Sequence, residues 1–184
     1  MYNQQTLVDH LIMAAGTGGQ FVLTEETIRQ LHRVAMAGLL TTAGEYRQVN
    51  VAIKHSDHQP CDWQHVAPHM ADMCDHLQSI WHKNDLVHLA AYTMWRLNWV
   101  HPFENGNGRT ARAASYLVLC AKYGGLLPAH NSVLRQIVAN KHPYYEAHRE
   151  CDKEFNRTQD MACLRTLEDL IERLLIGQLK AAGL

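Results

Sequence analysis

Residues 101–112 read His-Pro-Phe-Glu-Asn-Gly-Asn-Gly-Arg-Thr-Ala-Arg, and this stretch decides the fold and the chemistry expected of the chain. His101 is the kind of side chain best suited to move a proton near neutral pH. The glycines of the stretch let the backbone adopt positive φ and approach a ligand closely. Its two arginines are permanent cations whose forked donors match phosphate oxygens. The stretch therefore predicts transfer of a phosphate-containing group to an acceptor that must first lose a proton.

The patterns on either side place this stretch between two helices. Asp85 can cap an apolar helix that Pro102 ends, and a second apolar helix begins after Gly108. The unpaired amides at the start of a helix attract anions. Because Arg109 and Arg112 are three residues apart, both can project from the same side of the first turn. This combination favours a di- or triphosphate ligand.

Helical periodicity runs through most of the remaining chain and predicts an all-α protein. We predict a single domain over residues 1–184, since no internal repeat or linker interrupts the pattern. Thr24 can cap a helix whose first turn holds two glutamates. Further helices are predicted over 5–15, 68–81, 131–140, 144–154 and about 158–179.

Residues 45–60 have a different pattern, with Val49, Val51 and Ile53 alternating with more polar residues. Alternation with a period of two is typical of a strand, and Pro60 with its neighbours favours a turn. We predict a short β-hairpin here. Its free edge would pair with an extended peptide, although a packed connector explains the pattern equally well.

Composition narrows the class of partner. The formal net charge is −1, which gives no electrostatic reason to expect a nucleic-acid partner. No apolar run is long enough to span a bilayer and no signal-like N-terminus is present, so we expect a cytoplasmic protein without a membrane partner. Secretion by a dedicated system remains compatible with this sequence. The five cysteines form no C-x-x-C pair, which favours reduced thiols.

Residues 101–112 resemble the active-site loop of Fic-domain proteins, whose pattern is H-P-F-x-[DE]-G-N-G-R-x-x-R. The resemblance continues upstream in 44–47 and 49–53, and downstream in His-Pro-Tyr-Tyr-Glu-Ala at 142–147. It covers roughly residues 40–170, with terminal helices covering this core. It implies the Fic fold: roughly eight helices, a central helix-loop-helix that carries the site, and a small β-hairpin flap.

The resemblance also implies a protein adenylyltransferase, which moves AMP from ATP to a Ser, Thr or Tyr hydroxyl of a target protein with Mg²⁺. By this analogy, His101 deprotonates the acceptor hydroxyl. Arg109 contacts the leaving phosphates and Arg112 binds the terminal phosphate. The amides of the glycine turn hold phosphate, Asn107 stabilises the loop or an α-phosphate oxygen, and two tyrosines line the nucleoside pocket. The implied nucleotide-binding residues are Gly106, Asn107, Gly108, Arg109, Arg112, Tyr144 and Tyr145, and the implied flap residues are Val49, Asn50, Val51, Ala52 and Ile53.

One position departs from the family pattern. The metal-binding acid is the fifth residue of the motif, and here that residue is Asn105. An amide oxygen can ligate Mg²⁺ but carries no charge, and Glu104 occupies a variable position of the pattern. The departure therefore predicts weak metal binding. It keeps open a related transferase with another phosphate-bearing donor, removal of AMP, or a weakly active binding module.

The resemblance does not extend to the segment that inhibits many family members. Many family members carry an inhibitory helix with the pattern [ST]-x-x-x-E-[GN], and no convincing copy occurs here. Thr41 and Glu45 have the first spacing, but Tyr46 follows. We therefore expect control by a separate antitoxin-like protein, by homo-oligomerisation or by a segment outside this sequence.

Overall fold

Eight α-helices account for most of residues 2–15, 21–54 and 56–184, which this computed structural model describes. The predicted all-α fold class is confirmed. Two 3₁₀ turns, Trp63–His65 and Met161–Leu164, accompany the helices. The helices are α1 (Tyr2–Ala15), α2 (Glu25–Met36), α3 (Val66–Ile80), α4 (Leu86–Val100), α5 (Asn107–Tyr123), α6 (Val133–Ala139), α7 (His142–Thr158) and α8 (Arg165–Ala181).

The pair α4 and α5 forms the centre of the molecule. Both helices are buried on most sides, and Ala90 and Ala91 of α4 and Ala114 of α5 are inaccessible to solvent. Small side chains at a contact shorten the distance between helix axes, which brings the loop between the two helices close to both. Ser115 Oγ donates to Ala90 O at 2.8 Å and ties the helices together.

The predicted helix starts at Thr24 and Asp85 are confirmed by their capping bonds. Thr27 N donates to Thr24 Oγ1 at 3.1 Å, and His88 N donates to an Asp85 carboxylate oxygen at 2.9 Å. Each bond satisfies one of the amides that a helix start leaves without an intrahelical partner.

The last three helices, α6, α7 and α8, complete the fold. The helix predicted from about residue 158 begins only at Arg165, because α7 continues to Thr158 and ends with Gln159 in the left-handed region at φ 55°. Gln178 of α8 is fully buried, where its oxygen accepts from Val133 N and its nitrogen donates to Tyr116 Oη and Pro128 O. One amide therefore joins α8 to α5 and to the start of α6.

The predicted hairpin is not formed by the described residues of 45–60, which contain no strand. The backbone here bonds to the rest of the protein: Arg47 N donates to Pro102 O at 2.8 Å, and the Arg47 guanidinium binds Val49 O and Cys61 O. The Asn50 side chain donates to Asp62 and accepts from Trp63 N. Contacts through side chains thus hold this segment where the prediction had placed a ladder between two strands. Within the described helices, none is long and apolar enough to cross a membrane.

Candidate functional site

His101 lies at the C-terminal end of α4 in a conformation that favours glycine. Its φ and ψ are 52° and 58°, in the left-handed region, which costs a non-glycine residue on the order of 1–3 kcal/mol. His101 N donates to Leu97 O, and Arg47 Nε donates to His101 O at 2.8 Å. These two bonds hold the strained backbone in place and turn the chain from α4 into the loop.

The ring of His101 is held in one tautomer. Nδ1 lies 3.1 Å from Asn98 O, and because a carbonyl only accepts, this nitrogen carries the proton. Nε2 therefore keeps its lone pair. Burial lowers the pKa of His101 to about 4; the bond to Asn98 opposes this, and the charges of Arg47 and His58 add to it. The imidazole is neutral at pH 7 and can accept a proton.

Asn107 closes the loop that follows. Its Nδ2 donates to Phe103 O at 2.7 Å, and its Oδ1 accepts from Phe103 N at 2.9 Å. Both polar atoms are used within the loop, and the side chain is buried. Of the two roles implied by the resemblance, the geometry is that of loop stabilisation.

His32 of α2 holds the loop through hydrogen bonds, and the sequence analysis did not identify it as a site residue. Gly44 N donates to Nδ1 at 2.8 Å, so Nε2 carries the proton and donates to Asn105 O at 2.9 Å. The ring stacks on Phe103 with centroids 3.7 Å apart. The sequence did contain a signal that could have identified His32: it lies four residues after Ile28, on the buried face of α2.

Gly106 occupies the tightest point of the loop. Its φ is 78°, and a Cβ at this position would lie 2.6 Å from Met36 Sδ and 3.2 Å from His32 Nε2. Gly106 N donates to Asn105 Oδ1 at 2.7 Å. The amide oxygen of Asn105 is thus turned back onto its own loop.

The two arginines of α5 are positioned by different neighbours. Arg109 Nη1 donates to Ala35 O at 3.3 Å, at the end of α2. The Arg112 guanidinium lies 5.7 Å from the ring centroid of Tyr144, whose hydroxyl accepts from Asn98 Nδ2 at 2.9 Å. Tyr144 is buried and Tyr145 is about half exposed.

A cavity of about 620 Å³ brings most of the sequence-predicted site residues together. Ala52 and Ile53 of the predicted flap line it, whereas Val49, Asn50 and Val51 do not. The predicted residues in its wall are His101, Asn105, Gly106, Asn107, Gly108, Arg109, Arg112, Tyr144 and Tyr145. Side chains that sequence reasoning did not include also line it, among them Asn98, Lys141, His148, Arg149 and Asp152.

A second cavity of about 700 Å³ lies between α6, α7 and α8. It shares Tyr144 and Arg149 with the first but contains neither His101 nor the loop residues. The chemistry predicted from residues 101–112 therefore belongs to the 620 Å³ cavity, which we call the loop cavity.

The acidic groups beside the loop do not form a metal cage. Glu104 is exposed and accepts from Thr42 Oγ1 at 3.2 Å, and Asn105 offers one neutral oxygen that is already an acceptor. No group of three or more His, Cys, Asp or Glu side chains suited to a metal ion occurs among the described residues. A divalent cation here would take most of its ligands from a bound ligand's phosphates.

Comparison with known proteins gives one family and several related folds. The sequence model of the Fic/DOC family matches residues 22–119. A Fic-domain signalling protein from Bacteroides thetaiotaomicron superposes with a TM-score of 0.73 at 22% identity over 99% of this chain and 73% of that chain. A Fic family protein from Desulfovibrio desulfuricans superposes with a TM-score of 0.69 at 19% identity over 98% of this chain. Fic-1 from C. elegans superposes with a TM-score of 0.66 at 21% identity over 99% of this chain. The chain spans 52% of each of these last two chains.

We expect Gly106→Ala to destabilise the protein more than Gly124→Ala. Both glycines have positive φ, 78° and 90°, but nothing lies within 4 Å of a Cβ at Gly124. Conformational strain alone costs about 1–2 kcal/mol, and overlap with Met36 adds about 1–3 kcal/mol at Gly106. Urea unfolding measures both. Equal losses would show that Met36 and His32 do not confine the loop.

We expect stability to fall as the pH decreases below about 6.5, because burial lowers the pKa of three site histidines: His32, His101 to about 4 and His148 to about 3. The unfolded chain binds these protons near pH 6.5, whereas the folded protein binds them only at lower pH. Each of the three histidines lowers the free energy of unfolding by at most about 2 kcal/mol between pH 6.5 and 5.

The measurement is denaturant unfolding of the wild type and of His148→Asn at pH 7.5, 6 and 5. The variant should lose less stability than the wild type over this range, since one of the three groups is gone. Parallel curves for the two proteins would contradict the assignment of a buried neutral His148.

Proposed function

Because the chain belongs to the Fic/DOC family, we propose that it transfers AMP from ATP to a Ser, Thr or Tyr hydroxyl of a target protein. The family match supports an enzyme of the Fic transferase kind. The observation that carries the proposal is the neutral imidazole of His101, whose Nε2 keeps its lone pair, in a residue that lines the same cavity as Arg109 and Arg112.

In the proposed reaction, the target hydroxyl oxygen attacks the α-phosphorus of ATP. A bond forms between that oxygen and the phosphorus, the bond to the bridging oxygen of the β-phosphate breaks, and pyrophosphate leaves. His101 Nε2 accepts the hydroxyl proton. The pKa of His101, lowered mainly by burial, keeps this nitrogen unprotonated at pH 7, so that it is ready to act as the base.

The phosphates provide the second part of the argument. Arg109 and Arg112 supply fixed positive charge, and α5 begins at Asn107 with its amides directed out of the helix start. Phosphoryl transfer depends mainly on positioning and on stabilising charge that shifts to the leaving oxygens. Hydrogen bonds from His32, Asn107 and Arg47 hold the loop in one conformation. The loop meets the positioning requirement, because its amides would keep their positions relative to bound phosphates.

Mg²⁺ belongs to the proposal as a partner of the nucleotide. It would neutralise charge on the phosphates, with Asn105 Oδ1 as one neutral ligand from the protein. That oxygen also accepts from Gly106 N, so the protein's share of the metal binding would be small.

The proposed target is a protein that presents its Ser, Thr or Tyr hydroxyl beside Ala52 and Ile53, the two predicted flap residues in the cavity wall. Because they line the same cavity as His101, they would contact the segment that carries the acceptor. Control by a separate antitoxin-like protein or by self-association also belongs to the proposal, as the sequence carries no convincing inhibitory motif.

We expect the wild type, incubated with cell lysate, Mg²⁺ and ATP labelled at the α-phosphate, to label a protein band. His101→Ala should reduce the labelling at least about a hundredfold, since a positioned general base contributes about 10²–10⁴-fold. ATP labelled at the γ-phosphate should give no band. Labelling from the γ-phosphate would instead indicate a kinase, and labelling unaffected by His101→Ala would remove His101 as the base.

A second candidate is a binding module that holds nucleotide with little turnover, favoured by the neutral Asn105 at the metal position. Asn105→Asp tests it, because an aspartate keeps an acceptor for Gly106 N and adds the missing charge. If weak metal binding limits turnover, this variant should reach half-maximal labelling at about tenfold lower Mg²⁺. Glu104→Gln is the matched control for charge on the neighbouring exposed residue, and an unchanged Mg²⁺ dependence in Asn105→Asp would reject metal binding as the limit.

A further inference from the structure

The C-terminal end of α4 is closed by side chains. An α-helix leaves about four carbonyls at this end without an intrahelical partner, and in α4 they belong to residues 97–100. Leu97 O accepts from His101 N at 3.0 Å, and Asn98 O lies 3.1 Å from His101 Nδ1. The base of the proposed reaction thus satisfies the first two of these carbonyls itself.

The other two carbonyls are bound by side chains from the segment between α2 and α3. His58 Nε2 lies 2.8 Å from Trp99 O, and because a carbonyl only accepts, this nitrogen is the donor. Arg47 Nη2 lies 3.5 Å from Val100 O. The segment that contains the predicted flap therefore closes the end of the helix that leads into His101.

The surroundings of His58 are well defined. The residue is 7% exposed, and its ring centroid lies 5.3 Å from that of Trp99. Burial raises the pKa of Asp152 of α7, and the charge of His58 opposes this rise. Asp152 is itself bound to α4, because Trp95 Nε1 donates to its Oδ1 at 2.9 Å. His58 is therefore in contact with fixed parts of the fold.

The chain between Asn50 and His58 lines the loop cavity, and we call residues 51–54 and 56–57 the cavity segment. Its residues in the cavity wall are Ala52, Ile53, Lys54 and Ser56. The side-chain bonds of Asn50 hold the first end of the segment. At the second end, His58 N donates to Ser56 Oγ at 3.2 Å while the His58 ring binds α4.

We propose that His58 is a positioning residue that holds the cavity segment against the end of α4, so that an acceptor hydroxyl presented by this segment keeps a fixed position relative to His101. The inference rests on the proposed function in taking Ala52 and Ile53 as the residues beside the acceptor. Its physical basis is that one hydrogen bond joins the segment to the helix end that carries the base. A misplacement of about 1 Å between reacting groups costs on the order of a hundredfold in rate.

Substitutions of His58 separate the hydrogen bond from the space that the ring fills. His58→Leu fills the buried site with an apolar side chain and leaves Trp99 O without its donor. His58→Gln carries an amide N–H about as far from the backbone as Nε2 and restores the bond. His58→Asn is polar but too short to reach Trp99 O, and it replaces the leucine variant if that variant does not fold. His65→Leu makes the same change at an exposed histidine outside the loop cavity and is the matched control.

The first measurement is cleavage by trypsin after Lys54, an exposed residue of the cavity segment. Proteolysis follows the population in which a segment is locally open. His58→Leu should raise the rate of this cut about tenfold, whereas His58→Gln and His65→Leu should stay within about threefold of the wild type. Cleavage after Lys83, which is exposed in the turn before α4, should be unchanged and separates local from global unfolding.

The second measurement compares the acceptor and donor sides of the reaction. His58→Leu should transfer at least about tenfold less label from α-labelled ATP to the protein band, because the hydroxyl is no longer held at His101 Nε2. Equilibrium binding of ATP with Mg²⁺ to the full chain should stay within about threefold of the wild type. His58→Gln should recover the labelling, and thermal unfolding checks that each variant is folded.

Equal cleavage after Lys54 in the wild type and His58→Leu would overturn the inference, since the bond to Trp99 O would then not hold the segment. Loss of ATP binding in parallel with labelling, or labelling that His58→Gln does not recover, would reject a role on the acceptor side. If the wild type transfers no AMP, the proposed function fails and the acceptor role fails with it. Cleavage after Lys54 still decides in that case whether His58 holds the cavity segment.

Discussion

The buried guanidinium of Arg47 is the constraint on which the site depends. The guanidinium donates to backbone carbonyls, those of His101, Val49 and Cys61. Taking a charge out of water is costly unless every donor finds an acceptor, and here the carbonyls are held at the points where a loop and a helix end must meet. Burial lowers the pKa of Arg47, but the group stays charged. The strained backbone of His101 is one of the features that this charge stabilises.

A second support approaches the loop from α2. His32 bridges Gly44 and Asn105 through its two ring nitrogens, and its stacking on Phe103 fixes the plane of the ring. The loop is therefore held from two sides, with Asn107 closing it within. A site that works by positioning and electrostatics needs this rigidity, since a displacement of its amides would weaken every contact with an anion.

The sequence predicted the parts of this arrangement that are local. A twelve-residue motif indicated the helix-loop-helix, and side chains at Thr24 and Asp85 indicated two helix starts. The hairpin was wrong because alternation in 49–53 carries no information about a distant arginine that binds the carbonyls of the same segment. His32 and Asp152 were missed for a related reason: their partners, Asn105 and Trp95, are 73 and 57 residues away, and only the packing of α2 and α7 brings them together.

The neutrality of the buried histidines has a consequence for the way the cavity attracts anions. The positive charge of the cavity comes from arginine and lysine side chains, residue types whose ordinary pKa values lie well above neutral pH. The pull on an anionic ligand is accordingly almost constant above neutrality. An anion site built from histidines would lose positive charge and weaken as the pH rises, whereas the positive charge of this cavity stays the same.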